Sequence, residues 1–282
     1  MSSEFRTEAF GKWILVGEHA VLRGAPALVF PLTSKSLQLH FTPTSEPFML
    51  FYEGEAKTHA EEKVNLVLDT AFHLLNISPQ GNLHIQNEIP VGTGLGASAA
   101  LSVAIAKWLK ACFEPELDVF NFARELENLL HGQSSGLDIA GSMATDGCVY
   151  FQSGVATAMT PTWQPHIKLS YSGTEGNTAH CIEKVASLKA RNPKQADAVD
   201  KNMQQSVEQA KEALTTQNIH LLAKAMNHAA ACFNEWGLIS RSLKQHMDNE
   251  LEKGALAVKP TGSGCGGHII SLWHPETAPQ AI

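Results

Sequence analysis

The sequence predicts an α+β fold, and three observations carry that expectation. The first half alternates strand-like runs and turns around one glycine-rich loop and a single Ala/Leu-rich helical run. The second half holds four successive helical segments and few strands. The two halves share no internal repeat. At 282 residues the chain can bury a substantial core and fits one large or two modest domains.

Taken in order, Phe10 to Phe30 reads as a strand, a turn and a second strand: Trp13, Leu15 and Val16 favour strand, Gly17 breaks the run, and Arg23-Gly24-Ala25-Pro26 turns before Ala27. Alternation from Ser34 to Phe41 predicts another strand, and Pro43 to Gly54 reads as a loop. Apolar residues at 64, 67, 68, 71, 72 and 75 predict an amphipathic helix, ended by Asn76 to Gly81. Leu83, Ile85, Asn87 and Ile89 alternate as a strand that leads into PVGTGLGASAA, residues 90–100. Ala97 to Lys110 carries strong helix formers without Gly or Pro. Asp118 can cap a further helix striped by Val119, Phe122, Ala123, Leu126, Leu129 and Leu130, with Gly132 as its stop. Cys148 to Gln152 and Val155 to Met159 predict a hairpin, and His166 to Tyr171 a strand. Helices follow at about 178–190, 195–216, 219–236 and 239–252. KPTGSGCGGHIISLW, residues 259–273, is a second glycine loop entering a strand.

Composition narrows the function. Charged residues are 17% and hydrophobic ones 44%, the mix of a soluble globular chain without extended disorder. A net charge of −7 argues against nucleic-acid or anionic-membrane partners, which need a basic footprint. A phosphorylated ligand would then be held by local dipoles and a metal. Lys107 interrupts the longest apolar run, so no stretch reaches membrane-spanning length, and MSSEFRTEAF lacks the apolar core of a signal peptide; the expected location is cytoplasmic. Five cysteines stand singly with no C-x-x-C pair, as free thiols in a reducing compartment would.

Gly92, Gly94 and Gly96 let the first loop turn through conformations closed to other residues and clear side chains from a ligand's path. With a helix N-terminus directly after it, the loop reads as a phosphate cradle, or else as a structural turn. It is neither a Walker A loop, which needs Lys and Ser/Thr after the last Gly, nor the G-x-G-x-x-G dinucleotide fingerprint. Glu127 lies at the border of its helix's buried stripe, where a carboxylate either forms an edge salt bridge or holds a cation. Asp138, in HGQSSGLDIAGS, has the setting of a turn former. His220, His228 and His246 show no paired metal-ligand spacing with acidic partners.

Four segments together resemble the GHMP kinases, the family of galactokinases, homoserine kinases, mevalonate kinases and phosphomevalonate kinases. PVGTGLGASAA resembles the central P-x-G-x-G-L-G-S-S-A-A signature, and GKWILVGEHAVLRGAPAL resembles the N-terminal signature of the mevalonate branch nearly letter for letter. HGQSSGLDIAGS is similar to H-G-x-P-S-G-x-D-x-A-x-S, and KPTGSGCGG to K-[LM]-T-G-[AS]-G-G-G-G. The resemblance implies a ribosomal-protein-like β-α domain over residues 1–162, binding nucleotide and substrate, and a ferredoxin-like domain over 163–282.

It also implies ATP-dependent phosphorylation of the primary hydroxyl of mevalonate, with ATP as co-substrate and Mg2+ as cofactor. Asp138 would be the base and Lys12 its orienting partner, with Ser98 and Glu127 as metal ligands. Pro90, Gly92, Gly94, Leu95, Gly96, Ala97, Ser98, Ala99, Gly262 and Gly264 would bind the nucleotide, and Glu18 and His19 would face the substrate. The implied partners are a mevalonate-like hydroxy acid and ATP, with no nucleic acid or membrane; a homodimer stays open, as do a related alcohol kinase and a non-catalytic metabolite-binding homologue. The chain departs from the pattern at Ala97 and Cys265, and it has no Arg between Arg124 and Arg191, where many mevalonate kinases place one for the carboxylate. The family pattern also continues for a helix and strand after the position of Trp273, where this sequence has HPETAPQAI.

Overall fold

The structure, a computed structural model, describes residues 4–55 and 57–278. In chain order the elements are β1 (Phe5–Val16), a 3-10 turn at Ala20–Arg23, β2 (Ala27–Pro47), β3 (Met49–Gly54), α1 (Lys57–Leu75), β4 (Gln80–Asn87), α2 (Ala97–Cys112), α3 (Val119–His131), α4 (Leu137–Met143), β5 (Cys148–Gln152) and β6 (Val155–Met159). Then come β7 (His166–Tyr171), α5 (Thr178–Arg191), α6 (Pro193–Thr216), α7 (Ile219–Glu235), α8 (Arg241–Glu252), β8 (Ala257–Pro260) and β9 (His268–Trp273). The fold is α+β, as expected. No helix among the described residues is long and apolar enough to cross a membrane.

Three local expectations give way. Ser34–Phe41 is not a separate strand but the middle of β2, which runs on through Pro31. The stretch 43–54 is not a loop: β2 continues to Pro47 with a register shift between Pro43 and Pro47, an irregularity of the kind where a strand tolerates proline. After it, β3 pairs in parallel with β4, joined by α1 as the crossover that parallel strands require. Asp138 lies not in a turn but in the first turn of α4, which starts after Gly136 at φ 90°. Ser134 and Ser135 lead into that helix, their hydroxyls accepting from the backbone N–H groups of Gly136 and Leu137.

The chain divides into two compact units. The first comprises the chain up to Lys12, Pro31–Val91 and Leu95–Asp146; the second comprises Trp13–Phe30, Gly92–Gly94 and the chain from Gly147 onward. In the first unit, the later part of β2 pairs antiparallel with β4, Leu39 opposite Ile85. Helix α2 is apolar on all sides and correspondingly buried along most of its length. Near its C-terminal end, fully buried Trp108 meets Phe41 at 4.9 Å and Phe72 at 6.0 Å between ring centroids. Asp118 caps α3 by accepting from the Asn121 N–H, and Gly132 stops it.

In the second unit, β9 is the central strand between β7 and β8, antiparallel to both. Each of α5, α6, α7 and α8 begins at an Asn or Ser whose side chain accepts a hydrogen bond from the first turn. Met203, Val207, Leu222, Met226 and Phe233 from α6 and α7 share one core with Ile270 and Leu272 of β9. Residues 27–29 pair with β5, which forms the expected hairpin with β6.

Candidate active site

The glycine loop owes its shape to left-handed backbone at Gly92, Gly94 and Gly96, with φ of 75°, 86° and 84°. Its last glycine is the N-cap of α2, so Ala97 and Ser98 occupy the first turn and Ala99 is already core. Pro90, half-buried, precedes the turn, and Leu95 is buried. The Lys12 N–H donates to the Leu95 carbonyl at 2.8 Å, which stitches the end of the loop to β1.

That contact positions a buried cation. Lys12 is 2% exposed, and its Nζ lies 3.0 Å from Asp138 Oδ1. The side chain passes directly over Gly96, where an added Cβ would stand 2.8 Å from Lys12 Cγ. Gly96 therefore serves the turn and the lysine at once.

Next in the same unit is a second cluster. Ser98 Oγ donates to Glu127 Oε1 at 3.0 Å and lies 3.0 Å from His131 Nε2. With the hydroxyl proton given to the carboxylate, His131 is the donor to Ser98. Glu127 is buried, and its Oε2 has no hydrogen-bond partner. Its carboxyl is pushed up to about 7, chiefly by burial and then by the Asp138 carboxylate, against the lowering effect of Ser98, Lys12 and nearby Ser102. A buried carboxyl with an idle oxygen and a hydroxyl beside it is a pair of hard oxygen donors suited to a small divalent cation whose remaining ligands come from phosphates. Among the described residues no group of three or more His, Cys, Asp or Glu side chains could by itself hold a metal.

In the second unit the two glycine loops abut. The Thr93 carbonyl accepts from the His268 N–H at 3.1 Å, and Cβ atoms at Gly94 and Gly267 would press on the Thr261 and Thr93 carbonyls at 3.2 and 2.8 Å. Gly262 faces Gly94, while Gly264 fits against Leu238 and Phe233. The exposed Glu175 carboxyl lies opposite Gly92. Thr261 Oγ1 both accepts from the Ile14 N–H and donates to the Ile14 carbonyl, at 2.8 and 3.0 Å.

Glu18 and His19 are engaged with protein here. Glu18 forms a buried ion pair with Lys259, whose ammonium also reaches the Pro260 carbonyl and the face of Phe233. His19 donates from Nε2 to the Ser263 carbonyl at 2.8 Å and sits edge-on to Phe233 and Trp236. Burial pulls the His19 imidazole down to about 4. Sequence reasoning singled out neither His131 nor Lys259. His131 stands four residues after Glu127, a spacing that puts both on one helix face and could have signalled the contact. Nothing local signals the cation that Glu18 requires.

Residues 63–146 match the family of the GHMP kinases N terminal domain. A curated relative, the mevalonate kinase of Thermococcus sibiricus, is 28% identical over 294 residues, covering 93% of this chain and 86% of the relative. The GHMP fold recurs in the crystal structure of L. major mevalonate kinase in complex with R-mevalonate, with TM-score 0.81, 23% identity, and 98% and 91% of the two chains covered. Streptococcus pneumoniae phosphomevalonate kinase in complex with phosphomevalonate and AMPPNP matches with TM-score 0.76, 15% identity, and 97% and 93% coverage.

Two outcomes follow from this geometry. Gly96→Ala drives a methyl group into the Lys12 stem and should separate Lys12 from Asp138. Melting should occur at lower temperature, because Ala is strained at φ 84° and the buried ammonium loses contact with its carboxylate, while the ammonium signal of Lys12 in NMR loses its dependence on the Asp138 charge; an unchanged Lys12 environment would refute the steric reading. His19, neutral when folded and near 6.5 when unfolded, adds stability that is fully present above pH 6.5 and is lost as pH falls through about 4, on the order of 3 kcal/mol across that window. Urea titrations of wild type and His19→Asn should therefore converge between pH 7 and 4, and parallel profiles would contradict this.

Proposed function

We propose that the protein transfers the γ-phosphoryl group of ATP to the primary hydroxyl of mevalonate. The observation that carries the reading is the buried Lys12 ammonium 3.0 Å from Asp138, beside the Ser98–Glu127 pair. The relatives and their names supply the substrate class.

Phosphoryl transfer demands positioning and charge neutralisation more than covalent help from the protein. Backbone N–H groups of residues 92–98 and the positive end of α2 would hold the phosphates. Glu175, being exposed, can turn away from an arriving anion. Ser98 and Glu127 would hold Mg2+, which supplies counter-charge to the β- and γ-phosphates when bound. Glu127, poised near 7, then stays ionised at neutral pH.

Asp138, 36% exposed at its side chain, can reach a substrate hydroxyl while Lys12 holds its other side. The ammonium fixes the orientation of the carboxylate. In a loose transition state the placement of the attacking hydroxyl matters most, and a held carboxylate supplies it. Glu18, His19 and Lys259 support the second glycine loop from beneath, as positioning residues. Pro90, Leu95, Ala97 and Ala99 shape the first loop, and Gly262 and Gly264 the second.

One observation favours a second reading, a neighbouring kinase acting on a small alcohol without a carboxylate: no Arg lies between Arg124 and Arg191 to pair with the mevalonate carboxylate. An ADP-release assay across mevalonate, phosphomevalonate, galactose and homoserine separates the two. Mevalonate should give the highest kcat/KM, and indifference to it would reject the first reading. Asp138→Asn should lower kcat on the order of 10^3-fold with an unchanged circular dichroism spectrum. Near-normal turnover in that folded variant would remove the base.

A further inference from the structure

The second glycine loop carries a residue that its pattern does not call for. Cys265 occupies left-handed backbone at φ 61°, a conformation that a side chain makes costly and that its glycine neighbours adopt freely. Its N–H is held by the Leu238 carbonyl at 2.7 Å, and the residue is half-buried. Two side chains of α5, one helical turn apart, converge on it. Lys184 Nζ lies 3.9 Å from the Cys265 sulfur while also reaching the Gly237 carbonyl. Cys181, fully buried, donates to the carbonyl of Gly264 at 3.5 Å, and its thiol also interacts with the Cys265 sulfur. A half-buried cysteine beside a cation, with a second thiol behind it, is the arrangement of a nucleophilic cysteine and its resolving partner.

We propose that Cys181 and Cys265 are a redox modification site, closed by hydrogen peroxide into a disulfide that ties the second glycine loop to α5. Cys265 as thiolate attacks peroxide, giving a sulfenic acid and hydroxide. The Cys181 sulfur then displaces the sulfenic oxygen, which leaves as water with the thiol proton, so two thiols and one peroxide become one disulfide and two waters. Bond formation brings the sulfurs to about 2 Å and draws the loop toward the helix.

The loop has little slack to absorb this. A Cβ at Gly264 would already touch Leu238 at 3.0 Å, and one at Gly266 would strike the Glu175 carbonyl at 2.5 Å. The displacement therefore passes to Thr261 and Gly262, which abut Gly94. Weakened nucleotide binding is the consequence, and this part alone rests on the proposed kinase function.

Full-length protein treated with peroxide, alkylated and digested without reductant should yield a linked Cys181–Cys265 peptide that dithiothreitol abolishes. Affinity for a fluorescent ATP analogue should fall about tenfold in parallel and recover on reduction. Cys181→Ala should keep the untreated affinity and, after peroxide, show a dimedone-reactive sulfenic acid at Cys265 in place of the linkage. Cys112, Cys148 and Cys232 serve as internal controls. Absence of the linked peptide from treated wild type overturns the disulfide, and linkage with unchanged affinity overturns its effect on the loop. If the reduced protein does not bind the analogue, the nucleotide reading fails, while the linked peptide still decides the disulfide.

Discussion

A lysine ammonium withdrawn from water has to be met by an opposite charge, and much of the first unit is arranged around that requirement at Lys12. Two segments answer it. The end of the glycine loop accepts the lysine's backbone proton, Gly96 leaves the space its stem crosses, and α4 presents Asp138 at its first turn. Losing the Asp138 charge would weaken the compensation of a buried ammonium, whereas Asp138, 36% exposed, keeps its access to water, so the lysine is a constraint on the fold as well as an instrument of chemistry.

Burial acts in opposite senses on two further groups. At Glu127 it raises a carboxyl toward neutrality, and at His19 it suppresses an imidazolium. In both cases the charged form is penalised, but only Glu127 has an idle oxygen through which an incoming cation could relieve the penalty. His19 has its hydrogen bond to Ser263 already and acts as a fixed strut. The same physics separates a group suited to ligation from one suited to packing.

What the sequence disclosed follows from how local each feature is. The glycine loop, the helix after it and the caps at Asp118 and Gly132 are written in neighbouring residues, and they were legible. The parallel pairing of β3 was not, because Pro43 and Pro47 mask strand character that only the partner β4 reveals. The approach of Lys12 to Asp138 could be expected only through resemblance, since no periodicity links positions so far apart. The burial of Glu18 and His19 against Lys259 and Ser263 depends on partners from the far end of the chain, and nothing near residue 18 signals it.

The ion pair between Glu18 and Lys259 also bears on how the molecule is made. The carboxylate is made 241 residues before its counter-ion, and the two hydrogen bonds between Ile14 and Thr261 span 247 residues. Closing so long a loop is entropically slow. The segment from Trp13 to Phe30 therefore cannot complete these contacts until residues 259–261 have been made, and the second unit acquires its native architecture late.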